Sequence, residues 1–219
     1  MNTIYNFVSG PLAWLAFILF IGGSLYRLIG LMVLVHKKEK FIYAYMSLKY
    51  GLRSILRWST PFATENMRRH PALTIVAFAF HICLILTPIF LLAHVTLIDE
   101  SWNLSWWTLP DGAAEIMTLI VIAACVFFLV RRLVKPEVQY VTSASDYLIL
   151  GIVAAPFITG FLAYYQWFGY QVFLILHILS GEVMLVAIPF TRLSHMLFAP
   201  LTRAYIGSEF GGVRHAKDW

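Results

Sequence analysis

The sequence predicts an all-α membrane protein, a five-transmembrane-helix bundle with its N-terminus outside and its C-terminus in the cytoplasm. Three observations lead to this fold class. Hydrophobic residues fill 60% of the 219 positions and charged residues only 12%, whereas soluble domains carry about 25% charged residues. The apolar residues are gathered in five long runs, and the basic residues are gathered in the connections on one side of them. Because no segment is left over for a soluble domain, residues 1–219 are expected to form a single membrane domain.

Five stretches provide the length of about 20 apolar residues that a helix needs to cross a bilayer core. We place the spans at about 11–35, 72–97, 113–133, 147–166 and 170–198. Helix-start residues precede three of them: Pro71 the second, Pro110-Asp111 the third and Ser145-Asp146 the fourth. Three prolines also lie inside spans, where neighbouring groups can bond the carbonyls left without a donor: Pro88, Pro156 and Pro189.

The basic residues orient the bundle. Of the 16 Lys and Arg, eight lie in 36–71, three in 131–146 and three after residue 198, so 14 share one side. The connections 98–112 and 165–171 contain none. By the positive-inside rule, the basic side and the C-terminal tail are cytoplasmic. Aromatic residues typical of an interface belt mark the opposite side: Trp102, Trp106, Trp107, Tyr164, Tyr165 and Trp167.

Residues 41–57 predict an amphipathic helix on the inner membrane surface. At helical spacing, apolar and basic side chains fall on different faces. The apolar residues are Phe41, Tyr45, Leu48, Leu52 and Ile55, and the basic residues are Lys49, Arg53 and Arg57. Contact with lipid is the favoured interpretation, and docking of a cytoplasmic partner is the alternative. The net charge of +5 reflects this basic inner face, and we expect no nucleic-acid partner.

Four of the seven histidines fall inside predicted spans, His81 and His94 in the second and His177 and His195 in the fifth. Ionisable side chains inside a membrane are costly and therefore functional candidates, and imidazole is a common axial ligand of haem iron. Because the two spans run in opposite directions, His81 is level with His195, and His94 is level with His177. We predict that each pair holds one haem. The alternative is that each histidine bonds a neighbouring helix.

The spacing within the two spans differs. His177 and His195 are 18 residues apart, which is five full turns and places them on one face of a continuous helix. His81 and His94 are 13 residues apart, about 3.6 turns, so on an ideal helix they face in different directions. Pro88 lies between them, where a kink or local unwinding would re-aim one ring. The remaining histidines are expected to be solvated: His36, His70 and His215.

The chain resembles the cytochrome b (gamma) subunit of respiratory nitrate reductase and its wider family. The resemblance rests on the five-span topology, on Phe80-His81, and on the stretch from His177 to His195. That stretch ends Ile188-Pro189-Phe190-Thr191-Arg192-Leu193-Ser194-His195, similar to the family's Pro-Phe-Ser-Arg-Leu-x-His ending. The resemblance implies two haems b, held by His81 with His195 nearer the cytoplasm and by His94 with His177 nearer the outside. The family has a shorter spacing between the two ligands of its second span.

Further stretches resemble the branch found in transmembrane redox complexes of sulfate-reducing bacteria, of the high-molecular-weight cytochrome type: 80–83, 91–94, 100–102 and 106–110. This resemblance implies a multi-pass subunit of a bacterial inner (cytoplasmic) membrane. It also implies further membrane subunits, a cytoplasmic iron–sulfur protein and a periplasmic multihaem cytochrome c as partners. Menaquinol is the alternative donor or acceptor of electrons.

Three charged residues inside or at the edges of spans are further candidates. Arg192 lies one helical turn before His195, where it would pair with a haem propionate or snorkel to the interface. Arg27 lies about two turns inside the first span, where a propionate or a buried acid is the expected partner. Glu182 is the only acid well inside a span. A hydrogen bond to a neighbouring helix is favoured for it over proton transfer at a quinone site.

The sequence contains no Gly-rich phosphate loop, GxSxG elbow, HExxH motif or paired carboxylate, so hydrolytic chemistry is not indicated. Any chemistry is expected to belong to the cofactor. The predicted function is a dihaem cytochrome b subunit that relays electrons across the membrane, either as a quinone-reactive subunit or as a pure conduit. The alternative is a non-redox scaffold or transporter subunit with structural histidines, although the sequence shows neither the broken helix nor the inverted repeat of a transporter.

Overall fold

The computed structural model describes residues 2–216. The chain is 84% helical, and no strand occurs in the described residues. Five helices are long and apolar enough to cross a membrane, which confirms the number of predicted spans. In chain order, spans 1 to 5 are Thr3–Lys38, Pro71–Phe90, Asp111–Val134, Ala144–Tyr164 and Tyr170–Phe190. Lys217, one of the basic residues of the tail, lies outside the described residues.

Shorter helices occupy most of the remaining chain. The segment after span 1 contains Phe41–Tyr45, Leu48–Trp58 and Glu65–Arg69, and Leu92–Trp102 follows span 2. Pro136–Gln139 lies between spans 3 and 4. After span 5 come a 3-10 turn, Arg192–Ser194, the helix His195–Ile206 and a π-helical turn, Gly207–Val213.

Spans 1, 3 and 4 differ from their predicted bounds mainly at their ends. Span 1 is longer than the predicted 11–35 and includes a π-helical turn at Val8–Leu12. The bounds of spans 3 and 4 shift by one to three residues. Span 4 starts early because Ser143, rather than Ser145, caps it: the Ser143 amide donates to Asp146 Oδ2 at 2.8 Å. That bond is one half of a capping box.

The predicted second and fifth spans, 72–97 and 170–198, are too long. Span 2 ends at Phe90, and Leu91 is extended (φ −70°, ψ 129°) before the helix Leu92–Trp102 begins. Span 5 ends at Phe190, and Thr191 is extended (φ −125°, ψ −171°) before the turn Arg192–Ser194. A proline, Pro88 or Pro189, lies shortly before each break and weakens the helical ladder because it has no N–H. Apolar residues continue past the first break, at 91–93, so hydropathy does not reveal it, whereas the residues after the second break, 191–195, are mostly polar.

The described residues form two compact units. The first contains residues 2–8 and 75–181, and the second contains 9–74 and 182–216. The prediction of a single membrane domain stays a prediction.

Spans 3 and 4 pack together in the first unit. Their contact buries Val121, Ala124 and Cys125 of span 3 with Val153 and Phe157 of span 4. Large apolar side chains nevertheless remain exposed along every span, for example Ile18, Ile82, Ile116, Leu148 and Val183. An exposed apolar surface of this extent is what contact with lipid tails requires.

In the second unit, small residues bring the helix Leu48–Trp58 close to the C-terminal helices. Gly51 lies against Ala204, and Gly207 lies against Ser54. The predicted amphipathic helix 41–57 is interrupted at residues 46–47, so only its later part forms a regular helix of several turns. In that part the leucines are exposed beside a basic face: Leu48, Leu52 and Leu56 beside Lys49 and Arg53. Its position at the inner membrane surface stays a prediction.

Replacing Gly207 by alanine tests this packing. A Cβ atom there would lie 2.5 Å from Ser54 Cβ and 2.5 Å from the Tyr50 carbonyl oxygen. Because backbone would have to move, we expect Gly207→Ala to destabilise the protein by about 1–3 kcal/mol. The measurement is the thermal unfolding midpoint in detergent. Gly30→Ala is the control, since a Cβ at Gly30 meets nothing within 4 Å; equal midpoints for the two variants would contradict the packing.

Candidate functional site

The four histidines of the predicted spans share one hydrogen-bonding pattern. In each ring, Nδ1 lies within hydrogen-bonding distance of a main-chain carbonyl oxygen: His81 and Ala77 at 2.7 Å, His94 and Pro88 at 2.8 Å, His177 and Pro156 at 2.8 Å, and His195 and Arg192 at 2.9 Å. A carbonyl oxygen can only accept, so Nδ1 carries the proton and donates it. In a neutral ring, Nε2 then holds the lone pair.

This pattern prepares an imidazole to bind a metal. Metal-ligating histidines commonly donate their second ring N–H to a carbonyl or carboxylate, which fixes the tautomer and raises the basicity of the ligating nitrogen. Within residues 2–216, the side chains of His36, His70 and His215 make no such bond. The bonding pattern therefore separates the four predicted ligands from the histidines expected to be solvated.

His94 and His177 lie face to face in the first unit. Their ring centroids are 5.9 Å apart and their planes are inclined by 20°. Both residues are half-buried. The structure thus stacks two of the four candidate ligands against each other within one unit.

The break at Leu91 explains how His94 reaches this position. The local unwinding considered after Pro88 is present, so the angular argument from a continuous helix does not apply to His94. Each of the last four carbonyls of span 2 accepts a hydrogen bond. The Thr87 carbonyl accepts from the Leu91 amide at 3.0 Å, and the Pro88 carbonyl accepts from His94 Nδ1 at 2.8 Å. The Ile89 carbonyl accepts from Trp106 Nε1 at 2.9 Å, and the Phe90 carbonyl accepts from the Leu109 amide at 2.8 Å. The helix therefore stops without leaving any of its last four carbonyls unbonded.

The His177 ring packs against span 4 at Gly160 and Pro156, a contact called here the seat of His177. A Cβ atom at Gly160 would lie 2.9 Å from both Cε1 and Nδ1 of His177, so the ring fits there only because position 160 is glycine. One turn earlier, the Pro156 carbonyl accepts the Nδ1 proton. The hydroxyls of Thr159 and Ser180, 3.2 Å apart, join the two spans beside the ring. His177 is therefore held by shape and by hydrogen bonding together.

His81 and His195 lie in different units, and their predicted pairing stays a prediction. The His81 ring packs edge-on against Phe80, with centroids 5.1 Å apart and planes at 87°. His195 is the first residue of the helix His195–Ile206. The count of five turns from His177 assumes a continuous helix, and Thr191 interrupts that helix, so a shared face for the two residues stays a prediction.

The two candidate arginines lie close to His195. The Arg27 guanidinium carbon is 5.5 Å from the centre of the Phe198 ring, and Phe198 is one turn beyond His195 on the same helix face. Arg192 is exposed in the 3-10 turn, and its carbonyl accepts the His195 Nδ1 proton. Arg27 thus lies against the helix that His195 begins, and Arg192 bonds to His195 through its main chain.

Glu182 differs from its favoured interpretation. It is buried in span 5, and neither carboxylate oxygen has a hydrogen-bond partner in the described part of the chain. The predicted hydrogen bond to a neighbouring helix is therefore absent there.

No group of three or more His, Cys, Asp or Glu side chains able to hold a metal ion occurs between residues 2 and 216. This finding bears on sites built from several protein ligands, such as those of zinc. Haem iron takes its equatorial ligands from the porphyrin and needs at most two from the protein. Among the described residues, paired histidines are accordingly the relevant arrangement.

The sequence reasoning missed three residues that shape the site. The sequence places Trp106 in the interface belt and places Trp106 and Leu109 in the 106–110 stretch of the resemblance, but it assigns neither a role at His94, and Gly160 carries no motif. Pro88 signalled a disturbance of the helix but not which groups would occupy the freed carbonyls. Only the folded chain identifies those donors.

The comparisons give one relative. A protein of Nitratidesulfovibrio vulgaris (strain Hildenborough), described only as "Protein", is 35% identical over 211 residues, which cover 94% of this chain and 93% of that protein. No protein-family model matches the chain, and no solved structure matches it significantly. The similarity thus extends over nearly the full length of both proteins.

Gly160→Ala tests the seat of His177. The added methyl group would overlap the imidazole, so we expect a destabilisation of about 1–3 kcal/mol and a displaced His177 ring. The measurements are the thermal unfolding midpoint and the ring-nitrogen NMR shifts of histidine-labelled protein. Gly151→Ala in the same span is the control, because a Cβ there meets nothing within 4 Å. Unchanged His177 shifts in Gly160→Ala would contradict the seat.

Proposed function

We propose that this chain, which belongs to the same family as the Nitratidesulfovibrio vulgaris protein, is a dihaem cytochrome b membrane subunit of a respiratory redox complex. Its role is to relay electrons across a bacterial inner membrane. The observation that carries the proposal is the pair His94 and His177. Their rings are 5.9 Å apart, and each donates Nδ1–H to a main-chain carbonyl, so both Nε2 atoms are free to ligate.

The proposed cofactors are two haems b. His94 and His177 would hold the outer haem, and His81 and His195 would hold the inner one. Arg27 and Arg192 are the proposed partners of the inner haem's propionates, because a guanidinium matches a carboxylate in charge and geometry. When bound, haem b supplies an iron centre that accepts and releases one electron.

The chain's own contribution is to orient the ligands and to keep water away. The carbonyl bonds of the histidines hold each ring in the ligating tautomer. Gly160 and Pro156 shape the seat of His177, and Phe80 covers one edge of His81. His94 and His177 are half-buried, whereas His81 and His195 are exposed in the protein alone.

The proposed partners follow from the resemblance and from the charge distribution. A periplasmic multihaem cytochrome c or menaquinol would meet the outer face, and a cytoplasmic iron–sulfur protein would meet the inner face. A menaquinol analogue distinguishes between the two proposed electron donors, a periplasmic cytochrome c and menaquinol. A shift of the haem spectrum on adding the analogue supports a quinone-reactive subunit, and indifference supports a conduit between proteins.

A transporter subunit is the second candidate, and the helix breaks at Leu91 and Thr191 favour it. Transporters commonly bind ions at the unwound carbonyls of discontinuous helices. At the Leu91 break, however, protein donors occupy all four terminal carbonyls of span 2. Since none of the four is left without a donor, we favour the redox function.

The distribution of basic residues predicts the orientation, and cysteine labelling tests it. We expect a cysteine at Ser105 to react with a membrane-impermeant maleimide in intact spheroplasts, because 98–112 lacks basic residues and should face outward. A cysteine at Ser145 should react only after the membrane is opened. The native Cys83 and Cys125 are buried and give the background. The reverse labelling pattern would contradict an outside N-terminus.

Haem content tests the function itself. Protein purified from native membranes should show the reduced-minus-oxidised bands of low-spin haem b, with two haems per chain by pyridine haemochrome. Alanine at His94 or His177 should remove the outer haem, and alanine at His81 or His195 the inner one, because a low-spin centre needs both axial ligands. Each variant should therefore keep about half the haem.

His70→Ala is the matched control and should keep both haems, since its ring lacks the carbonyl bond shared by the candidate ligands. Colourless wild-type protein with intact partners would overturn the proposed function. Full haem content in all four ligand variants would overturn the ligand assignment.

A further inference from the structure

The outer connection 103–110 folds back over the end of span 2. Asn103 ends the helix Leu92–Trp102 in a left-handed conformation (φ 54°, ψ 40°), and the chain then returns to Ile89 and Phe90. The Trp106 indole N–H donates to the Ile89 carbonyl at 2.9 Å. The Leu109 amide donates to the Phe90 carbonyl at 2.8 Å, and the Trp107 ring stacks on Phe90 with centroids 4.1 Å apart.

We propose that Trp106 is a positioning residue for His94, because its indole N–H stabilises the helix break that places the His94 imidazole beside that of His177. The proposal rests on the proposed function, in which His94 ligates the outer haem. It assigns to the outer connection a role beyond that of an interface belt.

The argument is a competition between two backbone arrangements. In a continuous helix the Ile89 carbonyl would accept from the amide of residue 93, and the Phe90 carbonyl from the amide of His94. In the structure these two carbonyls accept instead from Trp106 and Leu109. The connection thus supplies two of the three bonds that the helix loses by stopping at Leu91, and His94 Nδ1 supplies the third, to the Pro88 carbonyl.

The alternative arrangement would misplace the ligand. On a continuous helix, 13 residues from His81 to His94 correspond to about 3.6 turns, so the two rings would point to different faces. The Pro88 carbonyl would also return to the helical ladder and no longer accept the His94 Nδ1 proton. Both the direction of the His94 ring and its ligating tautomer therefore depend on the break.

Of the two bonds from the connection that stabilise the broken helix over the continuous one, only the bond from Trp106 comes from a side chain. The Leu109 bond uses a main-chain amide, which most substitutions leave in place, whereas the Trp106 bond uses a side chain. Without it, the Ile89 carbonyl lacks a donor unless the helix re-forms. Removing the indole N–H therefore shifts the balance toward the continuous helix.

Trp106→Phe tests the proposal, because it keeps an aromatic ring and removes only the N–H donor. Loss of groups that orient a metal ligand typically weakens metal binding 10–100-fold. Trp106 bonds to the Ile89 carbonyl, which is next to the Pro88 carbonyl that His94 bonds, so we expect an effect at the lower end of this range. The variant should lose its outer haem to excess apomyoglobin about tenfold faster than the wild type. The EPR signal of the outer haem should also change, since it reports the relative orientation of the two imidazole planes.

Two further variants sharpen the test. Trp107→Phe is the matched control: it also removes an indole N–H, but that group has no hydrogen-bond partner within residues 2–216, and the stacking on Phe90 is kept. It should match the wild type. Trp106→Gln restores an N–H donor and should recover part of the haem retention, which loss of the ring alone would not explain.

The outcomes separate the inference from the proposed function. Wild-type rates of haem loss and an unchanged EPR signal in Trp106→Phe would overturn the inference while leaving the haem function intact. A colourless wild type would overturn the haem function. Hydrogen–deuterium exchange in the haem-free protein then decides whether Trp106 holds the break. Slower exchange at residues 92–94 in Trp106→Phe than in Trp107→Phe shows the re-formed helix, and equal exchange overturns the inference.

Discussion

Main-chain carbonyls inside a bilayer must find donors within the protein, because lipid tails provide none. Most of this chain meets the requirement with helical bonds, but span 2 stops at Phe90 while its hydropathy continues. Its last carbonyls bond to Leu91, His94, Trp106 and Leu109. One of these donors is a candidate ligand, so the requirement that permits the break also sets the direction of the ring.

The same carbonyl chemistry relates all four candidate ligands. Each imidazole donates through Nδ1 to the main chain, and the acceptors belong to different local structures: a helix, the end of a helix, a neighbouring span and a 3-10 turn. Different surroundings thus lead to one tautomer. A purely structural histidine needs only one of its nitrogens bonded in any manner. The arrangement seen here is the one common at metal-ligating histidines.

Proline and glycine set the shape of the candidate outer site. Pro88 precedes the break that carries His94, the Pro156 carbonyl accepts from His177, and Gly160 leaves the space that the His177 ring fills. None of these residues would contact the iron. They act by removing a donor, presenting an acceptor or omitting a side chain. Substitutions at such positions change a site without changing its ligands.

The sequence by itself determined the number of spans and the residues that carry the candidate chemistry, because hydropathy over about 20 residues and ionisable groups within apolar runs are local properties. It did not fix where span 2 ends, since apolar residues continue past Phe90, and the predicted span 5 ran on through the polar residues 191–195. The interrupted helices invalidated the turn count from His177 to His195 and removed the angular objection to His94. Only the tertiary structure supplied the donors from Trp106 and Leu109 and the space beside Gly160. Those partners are far from the histidines along the chain, and hydrogen bonds and excluded volume depend on distance in space.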